Sequence, residues 1–395
     1  MKPMGAIPLE FQMLPLVIGG RSAAELLTSS PLFVYDMAVV RSRVARFRSA
    51  FSGIDLHYAV KANPFAPLLA AMAPLVDGFD IASAGELTRV ATLGKSVSFA
   101  GPGKTDTELD AAIAAGVTIN LESENEADRA LAIADRRGVA PRLAVRVNPE
   151  FELRGSGMRM GGRASPFGVD AERVPALVKR ILAAGAEWRG FHIFAGSQAL
   201  DAAAIIDSQA HTLDLAARLA DAAGATPPLV NLGGGFGIPY FPGEQALDIE
   251  AIGAELTPRL SVLPDTRFAI ELGRWLVGEA GVYLTRVVDR KQSRGETFLV
   301  CDGGLNHQLA ATGNLGTVVR RNYPVAVATA ATDAERETVS VVGPLCTPLD
   351  RLADQVELPV AGPGDVIAIF MAGAYGLTAS PWEFLGHPRP GEILM

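Results

Sequence analysis

The sequence predicts an α/β protein, a (β/α)8 barrel joined to a mostly β C-terminal domain. Three observations lead there. Strand-like and helix-like stretches alternate eight times between residues 44 and 274, the pattern of a parallel sheet. Polar and glycine-rich positions gather at the C-terminal ends of the strand-like stretches, the face on which a barrel carries its chemistry. Beyond Gly278 the alternation stops, and short strands separated by turns take over. An open doubly wound sheet is the structural alternative. It would want a glycine-rich first turn, where the chain has Lys61-Ala62-Asn63-Pro64.

Taken in order, the apolar stretch Met13-Leu14-Pro15-Leu16-Val17-Ile18 is short, contains proline and runs into Gly19-Gly20-Arg21. It reads as a strand and turn, not a signal peptide. Residues 31–36 are strand-like and are expected to join the C-terminal β domain. That makes the second domain discontinuous: 1–36 with 279–395, around a barrel at 37–278. The first barrel helix is expected at 37–51. The eight barrel strands are expected at 55–61, 78–83, 96–101, 117–122, 142–148, 188–195, 229–233 and 267–271. Between them, 85–93 has Glu86 in its first turn, 105–115 has Asp106 and Glu108 near its start, and 123–137 opens on Ser-Glu-Asn-Glu, a capping-box pattern. In the C-terminal part, strands are expected at 282–289, 297–302, 337–343 and 365–371.

Composition narrows the function. The 395 residues carry a net charge of -8 and no basic run, which argues against non-specific nucleic-acid binding. No segment is long and apolar enough to span a bilayer, so no membrane partner is expected. The two cysteines, Cys301 and Cys346, cannot build a disulfide framework and fit a reducing compartment, so a cytoplasmic protein is expected. No metal site is expected.

The chemistry starts at Lys61. Tyr58, Ala59 and Val60 are good strand formers, and Asn63-Pro64 breaks the strand just beyond, so Lys61 reaches a rim. A partly desolvated amine there can lose its proton and attack a carbonyl. Gly233-Gly234-Gly235-Phe236-Gly237 can close backbone N–H groups around a phosphate, with the Ser197 hydroxyl as a further donor. Arg274 adds a fixed positive charge, and Glu271 faces Lys61 across the barrel mouth. A carboxylate opposite an activated lysine suggests pyridoxal 5′-phosphate, whose ring nitrogen it would keep protonated. Cys346, between prolines on a turn, looks presented, whereas Cys301 reads as a buried hydrophobe. Tyr375 is a glycine-flanked tyrosine, either a phosphate ligand or a turn aromatic.

Stretches 58–63, 79–86, 145–149, 195–198, 233–237, 271–274, 343–346 and 373–375, in this order, resemble the fold-type III pyridoxal-phosphate decarboxylases, the ornithine/diaminopimelate decarboxylase group. The resemblance runs over essentially the whole chain. It implies an alanine racemase-like pairing of barrel and β domain, and a head-to-tail homodimer with shared active sites. It also implies roles: Lys61 forms the internal aldimine and Glu271 pairs with the pyridine nitrogen. Ser197, Gly235, Arg274 and Tyr375 hold the phosphate, and Arg146 lies beside the cofactor. Cys346, reaching into the partner's site, protonates Cα after carbon dioxide leaves.

Departures from the family bear on substrate. Phe194 stands where relatives stack a histidine on the ring; His192, at the same strand parity but deeper, reads as a core histidine. Thr347 follows the cysteine, where diamine-forming relatives have Asp and diaminopimelate decarboxylases Glu. Asp350 is the acid that could otherwise meet a distal amine, so Thr347 and Asp350 are the expected substrate contacts. After Asp302-Gly303 there is no Arg-Pro-x-Leu-Tyr stretch. The combination resembles the subgroup with the butirosin glutamyl-carrier-protein decarboxylase and exosortase-associated decarboxylases. The expected activity is therefore α-decarboxylation of an L-amino acid or a carrier-bound aminoacyl conjugate. Alternatives are a diaminopimelate, lysine or ornithine decarboxylase, an amino-acid racemase of the same fold type, a catalytically silent cofactor-binding regulator, and a cofactor-free Schiff-base aldolase.

Overall fold

The computed structural model describes residues 1–153, 155, 157–159, 161–312 and 321–395. The chain forms two compact units. One is Val44–Gly237 with Ala246–Gly273; the other is Met1–Arg43, Ile238–Gln245 and Arg274–Met395.

The first unit is the barrel. Its strands are β1 (Asp55–Ala59), β2 (Gly78–Ile81), β3 (Ser96–Phe99), β4 (Thr118–Leu121), β5 (Arg142–Asn148), β6 (Glu187–Ile193), β7 (Leu229–Asn231) and β8 (Arg267–Leu272). Each pairs in parallel with its neighbour, and β8 pairs with β1, so the ring closes. The doubly wound alternative is excluded by that closure. Register sets which side chains share a level: His57 lies opposite Gly78 and Glu271, Ala59 opposite Asp80, and His192 opposite both Arg146 and Asn231.

Local chemistry explains the helix starts. Ser83 caps Ala84–Val90 by accepting from the Glu86 N–H. The helix Asp106–Ala114 carries a full capping box, in which Thr105 accepts from the Glu108 N–H while the Glu108 carboxylate accepts from the Thr105 N–H. At Glu124–Arg137 only half of the expected box forms. Ser123 accepts from the Glu126 N–H, but the Glu126 carboxylate turns to the Glu122 N–H and to Lys104. An ammonium buried nearby outcompetes a neutral N–H for that carboxylate.

The second unit is organised on one long strand, Gly281–Ser293. Its first half lies between Leu32–Tyr35 and Val366–Ile369, and its second half pairs with Glu296–Cys301. Arg336–Val342 runs parallel to Glu296–Cys301, and Arg351–Pro359 folds back antiparallel on it. The N-terminal strand is thus a member of this sheet, and Gly391–Leu394 adds in parallel beside it. Val17–Ile18 and Arg21–Ser22 form a small antiparallel pair, with the Gly19-Gly20 turn between them. The strand Arg351–Pro359 escapes a reading by periodicity because Asp354, Gln355 and Glu357 interrupt it, with Gln355 at a positive φ of 51°. Among the described residues no helix is long and apolar enough to cross a membrane.

Candidate active site

A cavity of about 430 Å3 opens at the C-terminal ends of the barrel strands, lined among others by Lys61, Asp80, Arg146, His192, Phe194 and Glu271. Lys61 is not the last residue of a strand, as the sequence suggests. β1 ends at Ala59, and Lys61 sits on the single 3-10 turn Val60–Ala62 that follows. The turn is held from beyond by Asn63. Its side chain accepts from the Phe65 N–H at 3.1 Å, and its carbonyl accepts from the Tyr58 hydroxyl at 2.9 Å. The lysine side chain is exposed, with Nζ 5.6 Å from the centre of the Phe194 ring.

Glu271 is buried on β8, the strand next to β1, so it flanks Lys61 and does not face it from across the mouth as the sequence suggests. His192 Nε2 lies 3.2 Å from Glu271 Oε2, and Asn231 Nδ2 donates to the same oxygen at 3.3 Å. Asn231 is itself fixed, its Oδ1 accepting from the Gly233 N–H at 2.9 Å. Burial pushes the Glu271 carboxyl up, but the neighbouring His192, Lys61 and Arg146 outweigh it and hold the group well below its usual range, at about 2, so it is an anion. His192 is buried, as expected of a core histidine, but that reading is incomplete. It lines the cavity and faces the carboxylate expected to meet the cofactor. Sequence reasoning also passed over Asn231; its signal is an amide two residues ahead of the glycine run.

Arg146 is anchored from behind. Its Nη1 donates to Glu122 Oε1 at 2.8 Å, and Glu122 also accepts from the Gly101 and Gly168 N–H groups. The guanidinium lies 4.8 Å from the centre of the Phe167 ring. Lys104, buried nearby, donates to Glu126 at 2.6 Å and to the carbonyls of Gly101 and Asn120. Those three acceptors use all of its protons, so it is a strut and not a second nucleophile.

The glycine run does two jobs. A Cβ on Gly234 would fall 1.9 Å from the Glu271 carbonyl oxygen, so this glycine lets the ends of β7 and β8 touch. Gly235, at φ +81°, would place a Cβ 2.2 Å from the Gly196 carbonyl oxygen. The Ala199 N–H donates to the Gly235 carbonyl, which binds the segment carrying Ser197 to the glycine run.

In the second unit, Arg274 stacks 4.8 Å from the Tyr375 ring centre and 5.5 Å from that of Tyr240, while Nη1 donates to the Tyr240 hydroxyl at 3.2 Å. Its buried Nε has no hydrogen-bond partner among the described residues. Tyr375 holds a positive φ of 53°. Cys346 is a free, exposed thiol on the loop between Arg336–Val342 and Arg351–Pro359; Cys301 is buried. Thr347 is half-buried, and its Oγ1 accepts from the Leu349 N–H at 3.3 Å. Asp350 turns inward. Its two oxygens accept from the Leu305 N–H at 2.7 Å and the Leu345 N–H at 2.9 Å, and Gly304 and Gly343 leave room for the carboxylate. The loop's own acid is thus taken up by backbone.

These features fit pyridoxal phosphate. In the barrel, a buried carboxylate held ionised suits a pyridinium nitrogen, a lysine lines the same cavity, and a glycine-lined turn suits a phosphate; in the second unit, an arginine N–H without a partner among the described residues is free for an anion.

Comparison with known proteins gives the same direction. Residues 37–278 match the family model of the pyridoxal-dependent decarboxylase, pyridoxal binding domain. The chain is 36% identical to the L-glutamyl-[BtrI acyl-carrier protein] decarboxylase of Niallia circulans, over 92% of this chain and 88% of that protein. It is 32% identical to the diaminopimelate decarboxylase of Methanothermobacter thermautotrophicus, over 96% and 90%. Among solved structures, the diaminopimelate decarboxylase of M. jannaschii in complex with L-lysine superposes with a TM-score of 0.88 at 26% identity, covering 99% of this chain and 92% of that one.

Proposed function

The chain belongs to the pyridoxal-dependent decarboxylases of the ornithine/diaminopimelate group, and we propose that its substrate is an L-amino acid whose distal end is neutral, such as a glutamyl group joined to a carrier protein. It is a pyridoxal-phosphate-dependent carboxy-lyase acting on an amino acid or an amino-acid conjugate. The observation that carries the substrate reading is on the Cys346 loop. Its one acid, Asp350, is buried on two backbone N–H groups, leaving the hydroxyl of Thr347 beside the thiol. A protonated distal amine would meet no carboxylate from this loop, and an unpaired ammonium is costly to bury. The relative from Niallia circulans, named for a glutamyl carrier-protein substrate, supports the same reading.

Pyridoxal phosphate, when bound, supplies the electron sink for the bond pair left by the departing carboxylate. In this reading the Lys61 amine would hold the cofactor through its aldehyde, and Phe194 would offer a ring face without a hydrogen bond. Glu271, steadied by His192 and Asn231, would keep the ring nitrogen protonated. Ser197, Gly235, Arg274 and Tyr375 would hold the phosphate, with Arg146 as a further cofactor contact. Cys346 Sγ gives a proton to Cα. Asp350 orders the loop and leaves the substrate contact to Thr347. The active form is a cytoplasmic homodimer, in which the Cys346 loop of one protomer serves the barrel of its partner.

Carbon dioxide release is to be measured from ornithine, lysine, diaminopimelate, free glutamate and a glutamyl-carrier conjugate. The conjugate should turn over fastest, and Thr347→Asp should raise the rate on lysine and ornithine. Efficient turnover of lysine, ornithine or diaminopimelate by the unaltered protein would show the substrate reading wrong. Mixing Lys61→Ala with Cys346→Ala should restore part of the activity that each lacks alone; no recovery would count against shared sites.

A further inference from the structure

Barrel interiors are ordinarily filled with Val, Ile and Leu in layers. Here the axis is polar. A second cavity of about 180 Å3 lies toward the N-terminal ends of the strands, lined in part by His57, Ser98, Asn120, Ala144 and Asn231. His57 and Asp80 form the step from this lower cavity to the upper one. His57 lines the lower cavity; Asp80, level with Ala59 two residues before Lys61, lines the upper one as Lys61 does; and His57 Nδ1 lies 3.3 Å from Asp80 Oδ2.

The site is built for the imidazole. A Cβ on Gly78, the β2 residue level with His57, would fall 2.8 Å from His57 Nε2, so the missing side chain is the space the ring occupies. His57 is 5% exposed and Asp80 is 8% exposed. Neither Asp80 oxygen has a hydrogen-bond donor among the described residues; the imidazole is close but off the line of a good bond. A carboxylate buried to this degree with free lone pairs wants a cation or a donor. From below it has His57. Burial opposes a charge on that ring, but Asp80, Asp55 and Glu271 outweigh burial and raise its affinity for a proton, and Asp77 also faces it. From above, the upper cavity offers Lys61, Arg146 and His192; Lys104 is satisfied elsewhere. Lys61 in turn faces Glu271 and Glu86.

We propose that His57 is a positioning residue: protonated within the barrel axis, it holds Asp80 as an anion toward the cationic nitrogen that joins Lys61 to the bound cofactor. The inference rests on Lys61 holding the cofactor. Asp80 would favour the protonated form of that nitrogen, and His57 would keep Asp80 turned upward in a setting where no backbone N–H among the described residues anchors it.

The test uses the cofactor-loaded enzyme and reads absorbance, not turnover. The visible band of the lysine-linked cofactor is titrated against pH in the unaltered protein, His57→Gln, Asp80→Asn and the double variant. Each single variant should lower the midpoint of the band's titration by about one pH unit, and the double variant should add nothing further. Unmoved midpoints in both single variants, with the band lost in Lys61→Ala, overturn this inference alone. A band that persists in Lys61→Ala overturns the assignment of Lys61 and this inference with it. Should the variants fail to fold, the unaltered protein still decides. Its five histidines can be assigned in NMR spectra by substituting the other four in turn. A His57 ring still protonated at pH 7.5 supports the proposal, and a neutral ring overturns it.

Discussion

Replacing Asp350 by Asn keeps the shape of the side chain and removes its charge. In the native loop, Oδ1 accepts from the Leu305 N–H at 2.7 Å and Oδ2 from the Leu345 N–H at 2.9 Å, both buried. An amide can accept at one position only and turns its own NH2 toward the other N–H. One charge-assisted hydrogen bond disappears, worth about 1.5–3 kcal/mol, and the backbone donor it served is left buried and unpaired. The surroundings give little room to adjust, since Gly304 and Gly343 already pack against the carboxylate at positions where even a Cβ would clash. A net loss of about 3 kcal/mol follows. In a unit of this size that lowers the melting temperature by about 6–12 °C. Calorimetry reads the loss, and the reaction rate of the Cys346 thiol with a disulfide reagent reads the loop. Melting should fall, thiol reactivity should rise, and the band of bound cofactor should remain. An Asp350→Asn variant that melts within about 2 °C of the parent, with unchanged thiol reactivity, would refute the anchoring argument.

Further outcomes can be stated briefly. Lys61→Ala should give no cofactor-linked band, and borohydride reduction of the parent followed by peptide mapping should place the label on Lys61 alone. Glu271→Gln should keep bound cofactor yet lose at least about a hundredfold in turnover, because a neutral amide cannot hold the ring nitrogen's proton; turnover near that of the parent would reject that role. Burial holds the His307 ring at about 4, below its ordinary 6.5. Between those values the unfolded chain binds a proton that the folded one does not, so stability should fall as pH drops from 6.5 to 4 and then level off. This accounts for up to about 3 kcal/mol. Melting curves of His307→Gln over that range should show a shallower decline.

The barrel was legible because its alternation is regular, and Lys61, Arg146, Phe194 and Glu271 line one cavity because strand ends deliver them there. What stayed hidden has a physical pattern. Leu-His-Tyr-Ala in β1 alternates apolar with polar or small residues, which in a sequence reads as a strand with one wet face. In a closed barrel both faces are buried, so the polar positions His57, Asp80, Asn120, His192 and Asn231 point into the axis and not into solvent. A lone histidine at such a position is indistinguishable from a core residue until its neighbour across the ring is known, and Glu271 lies far off in sequence. Asp350 is the converse case. Nothing near it in sequence shows that the distant Leu305 N–H will claim one of its oxygens.

The glycines at the end of β7 make the barrel's rim a place of backbone-to-backbone contact, with the Gly234 α-carbon set close against the Glu271 carbonyl. The main chain therefore fixes where the acid's strand ends, and His192 and Asn231 then orient its carboxylate. A substitution at the Phe194 wall of the cavity leaves this backbone contact in place. A single methyl group on Gly234 would collide with that carbonyl and displace the end of the strand that carries the acid.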